Sequence, residues 1–166
     1  MFSDDLLLRL RTRVALLRDF SIDEVGEFVG HCRPETQPAG HCVVREGEPG
    51  RSMYIVVAGT LSVQRLTGGQ QVQLAVLEAG DTFGELALLD FGERSASVLA
   101  LTEVRLLQFE RGHMVGIPAL QPKLYRNLAL MLAERLRETN QLVGSLASNR
   151  SATAAETPRK RTMVNR

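Results

Sequence analysis

The residue types that can do chemistry concentrate in one run, Phe83-Gly84-Glu85-Leu86-Ala87-Leu88-Leu89-Asp90-Phe91-Gly92-Glu93-Arg94-Ser95-Ala96-Ser97-Val98. A glycine and a carboxylate open a short apolar helical turn, and Arg94, followed by the small residues Ser95 and Ala96, comes nine positions after Glu85. Glycine lets a backbone approach a ligand closely, and free amides at a helix start attract phosphate. The Arg94 guanidinium can neutralise such an anion through two parallel hydrogen bonds. Glu85 repels a phosphate but accepts hydrogen bonds from a sugar hydroxyl. The two charges therefore suit opposite ends of one ligand, a small anion that also carries hydroxyls. A plainer reading also fits these residues: a β-turn closed by an internal Glu85–Arg94 ion pair.

Other reactive side chains form weaker patterns. His31-Cys32 and His41-Cys42 place four potential zinc ligands within twelve residues. Zinc needs all four to converge, whereas adjacent residues on a strand point to opposite faces. They read as helix-end and strand residues, and no metal is expected. His113 is the only other histidine, and no serine or cysteine sits beside a plausible base. No second carboxylate cluster accompanies Glu85 to hold catalytic metal ions. The expectation is a protein that is not an enzyme.

These residues need a scaffold, and the hydrophobic pattern predicts one. Leu6, Leu7, Leu10, Val14 and Leu17 recur at helical spacing between Arg9, Arg11, Arg13 and Arg18. Ser21 followed by Glu24 is a capping box that starts a second helix through about Gly30. Pro34 and Pro38 then break the chain. Segments near 41–45, 53–58, 60–66, 71–78, 95–101 and 103–109 read as strands, separated by turns such as Gly47-Glu48-Pro49-Gly50, Gly68-Gly69 and Ala79-Gly80-Asp81. Short strands at this spacing predict a β-sandwich or barrel.

Beyond a short helix over 111–116, Pro122 suits the first turn of a long helix. Tyr125, Leu128, Leu132, Leu136, Val143 and Leu146 recur there every three or four residues, with Thr139 filling the one gap. At about 1.5 Å per residue, such a helix extends roughly 35–40 Å, more than packing on a small β-domain requires. A seam of this kind predicts pairing with a second copy, a homodimer.

The bulk properties describe one ordinary globular domain of 166 residues, 44% hydrophobic and 23% charged. No apolar run approaches a membrane span, and the first residues do not read as a signal peptide. Two cysteines make no secreted-type disulfide framework, so a cytoplasmic location and no membrane partner are expected. Residues 1–146 hold 15 Lys or Arg against 18 Asp or Glu. That body lacks the basic field of a nucleic-acid binder, and no nucleic acid is expected. Residues 147–166 hold five basic residues (Arg150, Arg159, Lys160, Arg161 and Arg166) against Glu156, and this Ser- and Thr-rich tail is expected to be disordered.

The run over 83–98 resembles the phosphate-binding cassette of cyclic nucleotide-binding domains. Phe83 to Leu88 fit its Phe-Gly-Glu-Leu-Ala-Leu pattern, and Arg94-Ser95-Ala96-Ser97 fit the second half, arginine, a small residue, alanine, then serine or threonine. Many members have proline where Glu93 stands here; Glu93-Arg94-Ser95-Ala96 is similar to the bacterial catabolite activator proteins. The resemblance extends from about 17 to 146. Leu136-Arg137-Glu138-Thr139-Asn140-Gln141-Leu142-Val143-Gly144 resembles the central helix of those activators, where a Thr-Ser pair contacts the adenine of cyclic AMP, one residue from each subunit. Thr139 and Asn140 hold the matching positions, with asparagine in place of serine.

The resemblance implies an α+β, mainly β, fold: a cyclic nucleotide-binding β-barrel or jelly roll with N-terminal helices and a long C-terminal helix. It implies that Glu85 and the Gly84 amide hold a ribose 2′-hydroxyl while Arg94 and Ser95 hold the cyclic phosphate. Leu86, Ala87 and Ala96 complete the cassette. Val63, Leu74 and Leu77 either line the base and sugar side or are plain core. The domain is expected over 1–146, with dimerisation through about 120–146. With about twenty residues beyond 146, no helix-turn-helix domain of the activators' kind is expected. The expected function is a stand-alone sensor of cyclic AMP, with cyclic GMP open, that signals to a separate protein. The alternative is a ligand-free module of the same fold that dimerises or docks.

Overall fold

The computed structural model describes residues 3–90 and 92–155, which divide after Leu128 into two units. In the first, α1 (Asp4–Arg13) is capped by Ser3, whose side chain accepts from the Leu6 amide. A 3-10 turn, Ala15–Leu17, leads to α2 (Ile22–Gly30). The capping box forms in full: the Ser21 hydroxyl accepts from the Glu24 amide at 3.1 Å, and Glu24 Oε2 accepts from the Ser21 amide at 2.7 Å. Two orphan donors of the helix start are thereby satisfied.

Eight strands follow: β1 (Arg33–Gln37), β2 (Cys42–Val44), β3 (Ser52–Ala58), β4 (Leu61–Thr67), β5 (Gln70–Leu77), β6 (Thr82–Phe83), β7 (Ser97–Ala100) and β8 (Val104–Glu110), with α3 (Leu86–Leu89) between β6 and β7. They build two antiparallel four-stranded sheets, β1-β8-β3-β6 and β2-β7-β4-β5. The expected barrel is therefore corrected to two sheets in a jelly roll. No ladder joins the two sheets among the described residues. Pro34, read in the sequence as a chain breaker, pairs with Leu107 on the edge strand β1. Proline is tolerated at an edge because no outward N–H has to be donated.

The sheets enclose Val44, Tyr54, Val56, Leu61, Phe83, Val98, Ala100, Val104 and Leu106. Alternation along β3 sends Met53 and Ile55 to the opposite face, where they are also fully buried. That face is covered by helix: Phe109, paired with Met53, stacks on Phe28 of α2 with ring centroids 4.7 Å apart. A central strand buried on both faces reads as a continuous apolar run, as Met53 to Val57 does.

A 3-10 segment, Arg111–Gly116, precedes α4 (Gln121–Ala155). Leu124 and Leu128 are buried in the first unit. In the second unit, Leu130, Leu136, Leu142 and Val143 are exposed apolar side chains. The helix runs on over 147–155, past the boundary expected near 146. Those residues contain alanines and no glycine or proline, so nothing local stops the helix. Arg159, Lys160, Arg161 and Arg166 of the expected tail lie outside the described residues. No helix among the described residues is long and apolar enough to cross a membrane.

Candidate functional site

The chain turns sharply where β6 ends. Gly84 adopts φ +76°, a left-handed conformation that side chains disfavour. Its carbonyl accepts from the Ala87 amide at 3.1 Å, and the Glu85 carbonyl accepts from the Leu88 amide at 2.9 Å, closing the single turn of α3. Glu85 starts that turn as a buried residue, only 3% exposed. The Thr82 hydroxyl donates to its Oε1 at 2.5 Å. A carboxylate buried this far is rarely tolerated unless hydrogen-bonded.

Arg94 is brought to Gly84 by the opposite side of the fold. Its amide donates to the Glu48 carbonyl at 2.8 Å, and its carbonyl accepts from the Gly47 amide at 2.9 Å. Pro49 and Glu93 form a further isolated bridge. The β2–β3 turn thus holds the arginine backbone, while Nη1 donates to the Gly84 carbonyl at 3.4 Å. The guanidinium also lies over the Tyr54 ring, 6.0 Å from its centroid. The slot is tight: a Cβ on Gly84 would come within 2.5 Å of Arg94 Nη1.

Arg94 is half-buried and, among the described residues, forms no ion pair. The plainer reading of a closed Glu85–Arg94 salt bridge is therefore not what the geometry shows. Loss of hydration pulls the guanidinium pKa below its ordinary value, and electrostatic interaction with Tyr54, Glu48 and Glu85 opposes that shift. Arginine remains charged regardless. A partly desolvated cation without a carboxylate partner is costly and suits an anion that arrives from outside.

The other expected site residues distribute unevenly. Ala87 is buried beneath the turn, Leu86 and Ser95 are exposed, and Ala96 is half-buried. Val63 and Leu77 pack partly buried against the inter-sheet core. Leu74 is 56% exposed on β5, beside a break in the β4–β5 register, so the core reading does not hold for it. Thr139 and Asn140 belong to the second unit and are exposed on α4; the Thr139 hydroxyl donates to the Arg135 carbonyl at 2.8 Å.

The histidine–cysteine pairs make local contacts. His31 Nδ1 lies 3.0 Å from the Glu27 carbonyl, and the Cys32 and Cys42 thiols donate to the Phe28 and Val44 carbonyls. Among the described residues, no three His, Cys, Asp or Glu side chains are grouped to hold a metal ion.

Sequence reasoning missed Thr82, Tyr54 and Gly50. Thr82 lies three residues before Glu85 and was within reach of a local reading. Tyr54 and Gly50 reach Arg94 only through the fold.

Comparison with known proteins agrees with this geometry. The profile of the family described as "Cyclic nucleotide-binding domain" matches residues 34–117. A CRP-like cAMP-activated global transcriptional regulator from Mycobacterium tuberculosis is 31% identical over 135 residues, 81% of this chain and 60% of that protein. The crystal structure of Thermus thermophilus catabolite activator protein superposes with a TM-score of 0.75 at 34% identity, covering 80% of this chain and 63% of that one. The regulatory domain of Toxoplasma gondii PKA, crystallised with cAMP, gives a TM-score of 0.63 at 28% identity, covering 69% of this chain and 44% of that one. The chain thus spans about three-fifths of the two bacterial proteins. With the jelly roll, the Gly84 turn and the Arg94 slot already in place, the match assigns this chain to the cyclic nucleotide-binding domain family.

Proposed function

We propose that the chain senses a cyclic mononucleotide, cyclic AMP in the first instance, and does no chemistry on it. The observation that carries this reading is Arg94, a half-buried cation that has no ion-pair partner among the described residues and donates to the carbonyl of Gly84, the residue before the buried Glu85. The cyclic phosphate would seat on Arg94 and Ser95, and Glu85 would accept from the ribose 2′-hydroxyl. Cyclic AMP is favoured over cyclic GMP because the Mycobacterium relative is described as cAMP-activated and the Toxoplasma domain was crystallised with cAMP. Thr139 and Asn140, matching the base-contacting pair of the activators, support the same choice.

The exposed Leu136, Leu142 and Val143 on α4 support a homodimer through that helix, with the signal passing along it to a partner protein. Ligand drives such a change only through higher affinity for one arrangement than for the other.

Isothermal calorimetry with cyclic AMP and cyclic GMP, on wild type and Arg94→Ala, tests the reading. Micromolar binding of cyclic AMP by wild type, lost in the variant, is the expected result. No heat with either nucleotide would instead favour a ligand-free dimerisation or docking module. Sedimentation of Leu132→Asp tests the helix seam, which an unchanged dimer would rule out.

A further inference from the structure

Arg94 is useful to an anion only if its guanidinium is already held in place, since an arginine side chain left free loses rotamer entropy on binding. Two residues outside the cassette hold it. Gly50, at the end of the β2–β3 turn, is buried. Unlike seven other glycines of this chain, it does not have a positive φ, so its backbone conformation does not call for glycine. Space does: a Cβ there would lie 3.2 Å from Arg94 Nε, 3.3 Å from Arg94 Cδ and 3.3 Å from Ala87 Cβ. Opposite, the corresponding position on Gly84 abuts Nη1. The side chain therefore runs through a slot between two glycines.

Tyr54 forms the third wall. Its ring stacks on Phe83 at 4.8 Å and 11°, and so is tied to the residue immediately before Gly84. Its hydroxyl accepts from Gln108 Nε2 at 3.0 Å, and the same Nε2 donates to the Ser52 hydroxyl at 3.3 Å. The ring is thus fixed from two sides while its face meets the guanidinium. A cation over an aromatic face is attracted by the ring quadrupole, most strongly when both are partly desolvated.

We propose that Tyr54 and Gly50 are positioning residues that preorganise the Arg94 guanidinium for the phosphate of the ligand. The proposal rests on the cyclic nucleotide reading for its ligand, but the platform itself is testable without one. In the ligand-free protein, the Arg94 Hε and Hδ resonances are expected upfield from the Tyr54 ring current. That displacement should vanish in Tyr54→Leu and persist in Tyr54→Phe. No change in Tyr54→Leu would overturn the platform whether or not any nucleotide binds.

With cyclic AMP, calorimetry on Tyr54→Leu should show affinity reduced about 10-fold. Tyr54→Phe should stay within about 3-fold of wild type, since it keeps the ring face. Gly50→Ala should fall between them or below, its methyl displacing the arginine stem. The decisive comparison places Tyr54→Leu in the Arg94→Lys background, where a residue acting through the guanidinium costs little more. A full, additive loss there would mean that Tyr54 serves only the core, and the proposal would fail. If wild type binds no cyclic nucleotide while the ring-current shift is present, the functional reading fails and the platform stands as structure alone, without the role proposed for it.

Discussion

Lys123 Nζ lies 2.7 Å from each carboxylate oxygen of Glu24, a bidentate contact between the first turn of α4 and the first turn of α2. The same Glu24 Oε2 closes the capping box on the Ser21 amide. Close by, Arg126 pairs with Asp19 at 3.0 Å, and Asn127 Nδ2 donates to the carbonyls of Leu16 at 2.9 Å and Arg18 at 2.6 Å. Within the first unit, the base of α4 is thereby tied to the junction between α1 and α2.

The Glu24 contact predicts a pH signature. Hydrogen bonding from Lys123, then from the Ser21 amide, holds the carboxyl below its ordinary 4.5. A depressed carboxylate adds stability above its unfolded pKa and loses it as pH falls through the folded value. Lys123→Met should therefore be less stable than wild type at pH 7, and the gap should close on acidification below about 4. Urea denaturation at pH 7 and pH 3 measures it; a gap independent of pH would mean that the ion pair contributes nothing.

Asn127 is 2% exposed and supplies the donors for two backbone carbonyls, while its own Oδ1 has no partner among the described residues. Replacement by alanine leaves both acceptors unpaired and should cost about 2–4 kcal/mol. Asn127→Asp should cost more at pH 7, because a carboxylate would then face two carbonyl oxygens, and should recover towards the alanine value as pH falls. Chemical denaturation of the three proteins orders them; an aspartate variant as stable as wild type would contradict the geometry.

Gly84→Ala combines two penalties. A non-glycine residue in the left-handed region costs roughly 1–2 kcal/mol, and the added methyl would collide with Arg94 Nη1 and the Ser52 carbonyl. The variant should lose stability by about that amount and bind cyclic AMP at least about tenfold more weakly. Equal affinity with lowered stability would show that Arg94 can shift without consequence for the ligand.

The two thiols should differ sharply in reactivity. Burial pushes the Cys32 pKa up to about 12 from the ordinary 9.0, whereas Cys42 is half-buried. The thiolate is the reactive species, so native iodoacetamide labelling followed by mass spectrometry should modify Cys42 and spare Cys32. Because the unfolded thiol releases its proton near pH 9 and the folded one does not, this group costs stability as pH rises from about 9 towards 12. Cys32 labelling as fast as Cys42 in the native protein would show that α2 opens locally.

Features that depend on neighbours in the chain were legible from residue order. The Ser21–Glu24 box, the glycine turns, six of the eight strands and the Gly84-Glu85 start of α3 are each signalled by residue types within a few positions. What the order of residues left open was decided across the fold. Pro34 breaks no strand because β1 lies at a sheet edge, and the strands divide into two separate sheets. Arg94 found no closed ion pair with Glu85 but a slot made by Gly50, Gly84 and Tyr54, residues that lie up to forty-four positions away in sequence. Local hydrogen bonds and backbone preference are written into short words of sequence, whereas burial, steric space and the pairing of charges depend on which distant segments the core brings together.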